Sequence, residues 1–208
     1  MSNHGGFENL IVYWLAIDIS DLTVIFCSRY IDKKSRTLDQ MVQAARSGKQ
    51  NIVEGSLENS TESNIKLTGV ARASYGELLE DYRDYLRQNH LVIWSKYDLR
   101  VLEIRRMKID TYRTHESYKT DMPNGAQLAN RSNLTHMTYM PYLSNSESFA
   151  NLMITLCFKE GYLLDQLLRS INQKFIREGG FRENLFKKRI AYKNTHSFLI
   201  NLLIRDEG

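Results

Sequence analysis

Five histidines, two cysteines and several clustered carboxylates are the side chains of this sequence that could do chemistry. Helical bundles hold paired metals with a Glu-x-x-His motif on two helices. None of His4, His90, His115, His136 or His196 has a glutamate three residues before it, and Cys27 and Cys157 lack the spacing of a zinc pair. No metal and no cofactor is expected. Asp18 with Asp21, and Glu77 with Glu80, Asp81 and Asp84, share helix faces. Paired carboxylates can do acid–base work, but a solvated polar face is the plainer reading, and Glu80 can pair with Arg83 three residues on. Arg131 to His136 and Arg189 to His196 show the loose arginine–histidine spacing of some helical ribonucleases, in which imidazole acts as base beside a cation on phosphate. Both lie off the long helices. No glycine-rich phosphate loop follows a strand. The reading is therefore of a non-enzymatic protein.

Cations on a rigid helix offer a different chemistry. Arg46 and Lys49 lie three residues apart on one helix face, with Gln43 and Gln50 adjoining, and Arg72 lies on the next helix. Such groups grip phosphates; alternatively they pair with Asp39, Glu54 or Glu77. The net charge is +4. Residues 91–145 carry eight basic and five acidic side chains, and residues 179–208 six and three. The positive excess thus sits in a connector and a tail, where polyanions could meet it.

The elements that must position these residues are helical. Only Pro123 and Pro141 interrupt the 208 residues, and proline is the main helix breaker. A first helix over about 9–31 is apolar on nearly every side, so it must be covered on more than one face. A second, over about 37–56, opens with Thr37 and Gln40 as a reciprocal cap. Gly55 and Ser56 close it. Ala44, Ala45, Ser47 and Gly48 leave room for a close neighbour. A third runs over about 61–88, with Leu67, Ala71, Ser74, Leu78, Tyr82 and Tyr85 at helical steps and Gly69 and Gly76 inside it. A short helix is expected over 97–108 in the irregular insert 90–145. A fourth long helix over about 146–178 is capped by Ser144 and Glu147, carries Leu152, Leu156 and Leu163, and ends at Gly179. The tail reads as an amphipathic helix broken near Asn194.

The expected fold is all-α, an antiparallel up-down-up-down four-helix bundle over 1–182, with an insert between helices 3 and 4 and a C-terminal tail over 183–208. The broad apolar face of the first helix is expected to drive self-association. Leu10 to Ile17 is apolar, but Asp18 and Asp21 follow at once, so no membrane span is expected. No basic leader opens the sequence. Two thiols in apolar segments suit a reducing cytoplasm.

Two segments carry a resemblance. The stretch from Arg36 through Asp39-Gln40-Met41-Val42-Gln43-Ala44-Ala45-Arg46-Ser47-Gly48-Lys49 to Gly55-Ser56 resembles the signature of the four-helix-bundle suffix-domain proteins. So do Lys66-Leu67-Thr68-Gly69-Val70-Ala71-Arg72-Ala73-Ser74 with Glu77 to Tyr82, and Glu178-Gly179-Gly180-Phe181-Arg182-Glu183. The resemblance covers roughly residues 7 to 185. That family is similar to the proteins encoded in 23S rRNA intervening sequences and to the accessory protein of diversity-generating retroelements. It implies a bundle that assembles into a homo-oligomer, a ring-like pentamer, and a nucleic-acid (RNA) partner. A protein partner bound through the insert or tail is the alternative. Gly69 and Gly76 depart from the family pattern, as do the insert after Asp110 and the tail after Arg189.

Overall fold

The computed structural model describes residues 6–109 and 138–205, with side-chain surroundings through Thr195. The described residues form helices and turns only: α1 (Ile11–Tyr30), α2 (Arg36–Leu57), α3 (Thr61–Gln88), a short α4 (Leu99–Arg106), α5 (Ser146–Glu178) and α6 (Phe181–Arg205), with 3-10 turns at Phe7–Asn9 and Met140–Tyr142. The all-α expectation is met. α1 packs against α2 and α5, and α3 packs against the same two helices.

Helix ends depart from the expected caps in instructive ways. α2 begins one residue early because the Ser35 hydroxyl accepts from the Thr37 amide at 3.2 Å, so Thr37 lies inside the helix. Asn145, not Ser144, caps α5, its side-chain oxygen Oδ1 accepting from the Ser148 amide at 2.8 Å. Gly55 does not stop α2, which continues to Leu57. It serves as a contact point instead: a Cβ there would sit 3.3 Å from Leu67 and 3.2 Å from the Asn64 side chain. Gly179 does end α5, at a φ of +76° that suits glycine. α6 runs unbroken past Asn194.

The core is one continuous cluster. Phe26 of α1 meets Tyr82, Tyr85 and Phe149 edge-on at ring separations of 4.9–5.3 Å, the geometry aromatic quadrupoles favour. Tyr82 is fully buried, and its hydroxyl meets the Thr23 hydroxyl at 3.1 Å. Leu78 and Leu152 are buried and Leu67 and Leu163 half-buried, as the apolar stripes require. The small residues of α2 accept a ring, not a backbone: Tyr75 lies over Gly48 so closely that a Cβ there would fall 2.6 Å from the ring. Beside it the Ser47 and Ser74 hydroxyls pair at 3.1 Å.

α1 is covered largely within the chain. Eleven of its residues are buried, while Ile11 and Val24 stay exposed. It is long and apolar enough to cross a membrane by length and composition, with mean hydropathy 1.6, against the expectation of no such segment; 61% of that stretch is buried against other helices. The average hydropathy tolerates Asp18 and Asp21, which an uninterrupted apolar run would not. Part of the insert joins the same core. Trp94, Val101, Ile104, Ile109, Tyr139, Tyr142 and Leu143 are buried with it, and Asn151 of α5 clamps the return after α3, accepting from the Trp94 amide and donating to the Val92 carbonyl, both at 2.8 Å.

Gly48→Ala should destabilise the fold by about 1–3 kcal/mol, because Tyr75 is only 1% exposed and has nowhere to retreat. Gly69→Ala, where a Cβ meets nothing within 4 Å, should stabilise by up to about 1 kcal/mol. Urea denaturation of the two variants checks the pair; equal effects would contradict the close approach at Gly48.

Candidate nucleic-acid interface

Arg46 is exposed and Lys49 half-exposed on α2, and neither has an ion pair among the described residues. Arg72 is placed differently. Its Nε donates to Asp165 of α5 at 2.5 Å, a partner not among Asp39, Glu54 and Glu77. Ser47 faces α3 through Ser74, and Lys49, two residues on, lies about 200° around α2 from it. Lys49 thus turns away from α3, while Arg72 turns toward α5. The fold does not bring the three cations onto one face. Among the carboxylates, Arg83 pairs with Glu80 at 2.6 Å and Arg87 with Asp84 at 2.8 Å. His136 and the side chain of His196 lie outside the described residues, so the arginine–histidine spacings have no geometry to report.

A denser cationic surface lies in the described part of the insert. Lys96, Arg100, Arg105, Arg106 and Lys108 are all exposed, with Asp98 and Glu103 the only acids between them. The fold holds them in place. Asp98 caps α4 by accepting from the Arg100 amide at 2.9 Å, and its carboxylate also takes the Arg100 guanidinium at 2.7 Å. That bidentate contact and the cap hold the Asp98 carboxyl below the usual range. The same guanidinium stacks 3.7 Å from the centre of the buried Trp94 ring. Val101 and Ile104 bury the opposite side of α4. Arg105 reaches the Lys96 backbone carbonyl at 3.5 Å, tying α4 to the segment before it. Lys96 sits 4.9 Å over the ring of Tyr97, which is 74% exposed. Lys96, Arg105, Arg106 and Lys108 have no ion pair among the described residues. Charge counting over 91–145 pointed at this region; the aromatic partner and the clustering needed the fold.

One carboxyl pair contradicts the solvated-face reading. Asp18 is 3% exposed and Glu160 of α5 is fully buried. Among the described residues, neither Glu160 oxygen has a hydrogen-bond partner, nor has the hydroxyl of buried Tyr75. Burial, reinforced by the charge of Asp18, drives the Glu160 carboxyl far above its ordinary range. Lys159 is the counterweight: burial lowers it, Asp18 opposes that, and its amine donates to the Met107 carbonyl at 2.6 Å. Both cysteines are free and buried, with the Cys27 thiol pushed up to about 11, a range in which it is not a ready nucleophile. Among the described residues no cluster of three or more potential ligands could hold a metal. The chain matches no family model, and neither the curated proteins nor the solved structures include a significant match.

Burial holds the proton on Glu160 well above the pH near 4.3 at which the carboxyl ionises when unfolded. The folded chain therefore holds an extra proton above that pH, and stability falls as pH rises toward the folded value. Glu160→Gln should raise Tm at pH 8 by several degrees, at roughly 2–4 °C per kcal/mol, and leave it nearly unchanged at pH 4. Thermal melts across that range check this; a lower Tm for the variant at pH 8 would show that the carboxylate is needed ionised.

Proposed function

We propose that this chain is a non-enzymatic helical-bundle protein that binds RNA or DNA through its phosphates. The observation that carries this reading is the run of exposed cations Lys96, Arg105, Arg106 and Lys108 on and beside α4, with Lys96 over the exposed Tyr97 ring. Unpaired cations supply sequence-independent attraction to a polyanion. An exposed aromatic ring among them offers a face on which an unpaired base can stack. Arg46 and Lys49 add a second exposed patch, and the tail a third. A shared location for these patches is not part of the proposal, since each can hold its own stretch of backbone.

The arrangement we favour for the long helices is an antiparallel up-down-up-down bundle. Support comes from paired residues that run in opposite order along neighbours: Ser47 with Ser74 but Gly55 with Leu67, and Arg72 with Asp165 but Val92 with Glu147. The resemblance of the α2 and α3 text to the suffix-domain and intervening-sequence families agrees with both the bundle and the nucleic-acid role. The reducing environment implied by two buried free thiols agrees with a cytoplasmic site of action. A protein partner is the second reading, favoured by the exposed flank of α6.

Fluorescence anisotropy with a generic single-stranded RNA tests the proposal. Affinity should fall steeply with salt, and Arg105→Glu with Arg106→Glu should lower the slope of log K against log salt by about 2. Arg72→Ala should change it little, because that guanidinium is already paired. Absence of binding to any RNA or DNA at low salt would end this reading.

A further inference from the structure

The stretch that leads into α4 exposes apolar side chains among its cations. Tyr97 is 74% exposed, and Leu99, the first residue of α4, is 82% exposed. Val92 and Ile93, just before them, are exposed as well. Lys96 and Arg100 alternate with these residues along the chain. Single exposed apolar side chains are ordinary, but several in one short stretch mark a binding surface. Attraction to a polyanion needs only the cations, so the apolar part calls for a ligand with more to offer than phosphate.

The backbone beneath the Tyr97 ring is fixed. The Asp98 amide donates to the Ser95 carbonyl at 2.9 Å, closing a turn over 95–98, and the Tyr97 amide donates to the Ser95 hydroxyl at 3.3 Å. The Asp98 carboxylate then grips the Arg100 guanidinium through two nitrogens, at 3.0 and 2.7 Å. That guanidinium lies against the buried Trp94 ring, and Trp94 is tied to α5 through Asn151. A partner that stacks on Tyr97 therefore meets a turn already ordered, which lowers the entropic cost of binding.

Two cations stand at the same turn. The Lys96 ammonium is 4.9 Å from the centre of the Tyr97 ring, over one face of it. The Arg105 guanidinium lies 3.5 Å from the carbonyl of the peptide that joins Lys96 to Tyr97. A duplex would give these cations phosphates, but its bases are paired and stacked on one another, so Tyr97 and Leu99 would gain no flat apolar partner. An unpaired strand supplies both, because every free base has a face that can stack on an aromatic ring.

We infer that the turn over 95–98 selects unpaired nucleic acid over duplex: a base stacks on Tyr97 while the phosphates beside it meet Lys96 and Arg105. This rests on the nucleic-acid reading above and adds to it the state of the strand and the residue that senses it.

Anisotropy titrations of the full chain with labelled oligouridine, whose bases stack little on one another, and with a duplex RNA of the same length test this. At one salt concentration oligouridine should bind about tenfold tighter than the duplex. Tyr97→Ala should remove most of that preference while leaving the salt slope and the duplex affinity unchanged. Tyr97→Phe should keep the preference, because the ring and not the hydroxyl does the stacking. Helical circular dichroism should match the wild type for both variants, since the side chain is outside the core. Equal affinity for the two RNAs, or a preference that survives Tyr97→Ala, would overturn this inference and leave phosphate binding standing. Binding of neither RNA at low salt would remove the underlying reading as well. Capture by phosphatidylserine vesicles that needs Tyr97, without any preference between the RNAs, would assign the turn to a lipid surface and overturn it too.

Discussion

The need to cover α1 is the constraint on which the rest of the structure depends. Twenty residues, apolar on nearly every side, cannot remain in water beside one neighbour, since each buried Leu, Ile or Phe side chain is worth roughly 1.5–3 kcal/mol. α2 and α5 take its two flanks. The described ends of the insert complete the same core with Trp94, Ile104, Tyr139 and Tyr142, and Arg29 ties α1 to that cover through the Leu143 carbonyl at 3.3 Å. These ends are thereby part of the fold, and Lys96, Arg100, Arg105, Arg106 and Lys108 are held exposed on them. The burial of α1 and the presentation of Lys96, Arg105 and Arg106 are two sides of one packing decision.

The same constraint explains the odd polar chemistry of the interior. Close packing around α1 leaves Asp18 and Glu160 inside, with the half-buried cation Lys159 near Asp18. A carboxylate stripped of water and given no donor is costly, so the proton stays on Glu160. The hydroxyl of Tyr75, whose ring lies over Gly48, is likewise without a partner among the described residues. Such unsatisfied groups in a core otherwise well packed mark where shape has taken precedence over polar pairing. We have no physical account of why glutamate, and not an apolar residue, occupies position 160.

Much of the helical layout was legible because it rests on local periodicity. The stripes of α3 and α5 place Leu78 and Leu152 at the centre, and the bounds of both helices were readable from their patterns. Caps were less so: Ser35 and Asn145 each compete with a neighbour of nearly equal capping strength, and one residue of difference carries no signal in the pattern. Gly55 illustrates the ambiguity of glycine, which ends helices and also permits close approach. Asp18 was misread because a wheel shows which face a residue is on and not what packs there. Arg72 finds Asp165 at a separation of 93 residues, which no local pattern encodes. The stacking of Lys96 on Tyr97 and Arg100 on Trp94 likewise appears only after α4 is seated on α5.

The most direct test of the account is amide hydrogen exchange along the intact chain in aqueous buffer. α1 amides from Leu15 to Phe26 should be among the slowest, matching those around Tyr75 to Tyr82 in α3, because both would open only with global unfolding. Free exchange of α1 in buffer, with protection appearing only when lipid vesicles are added, would contradict it: α1 would then be a membrane segment and not the centre of this fold.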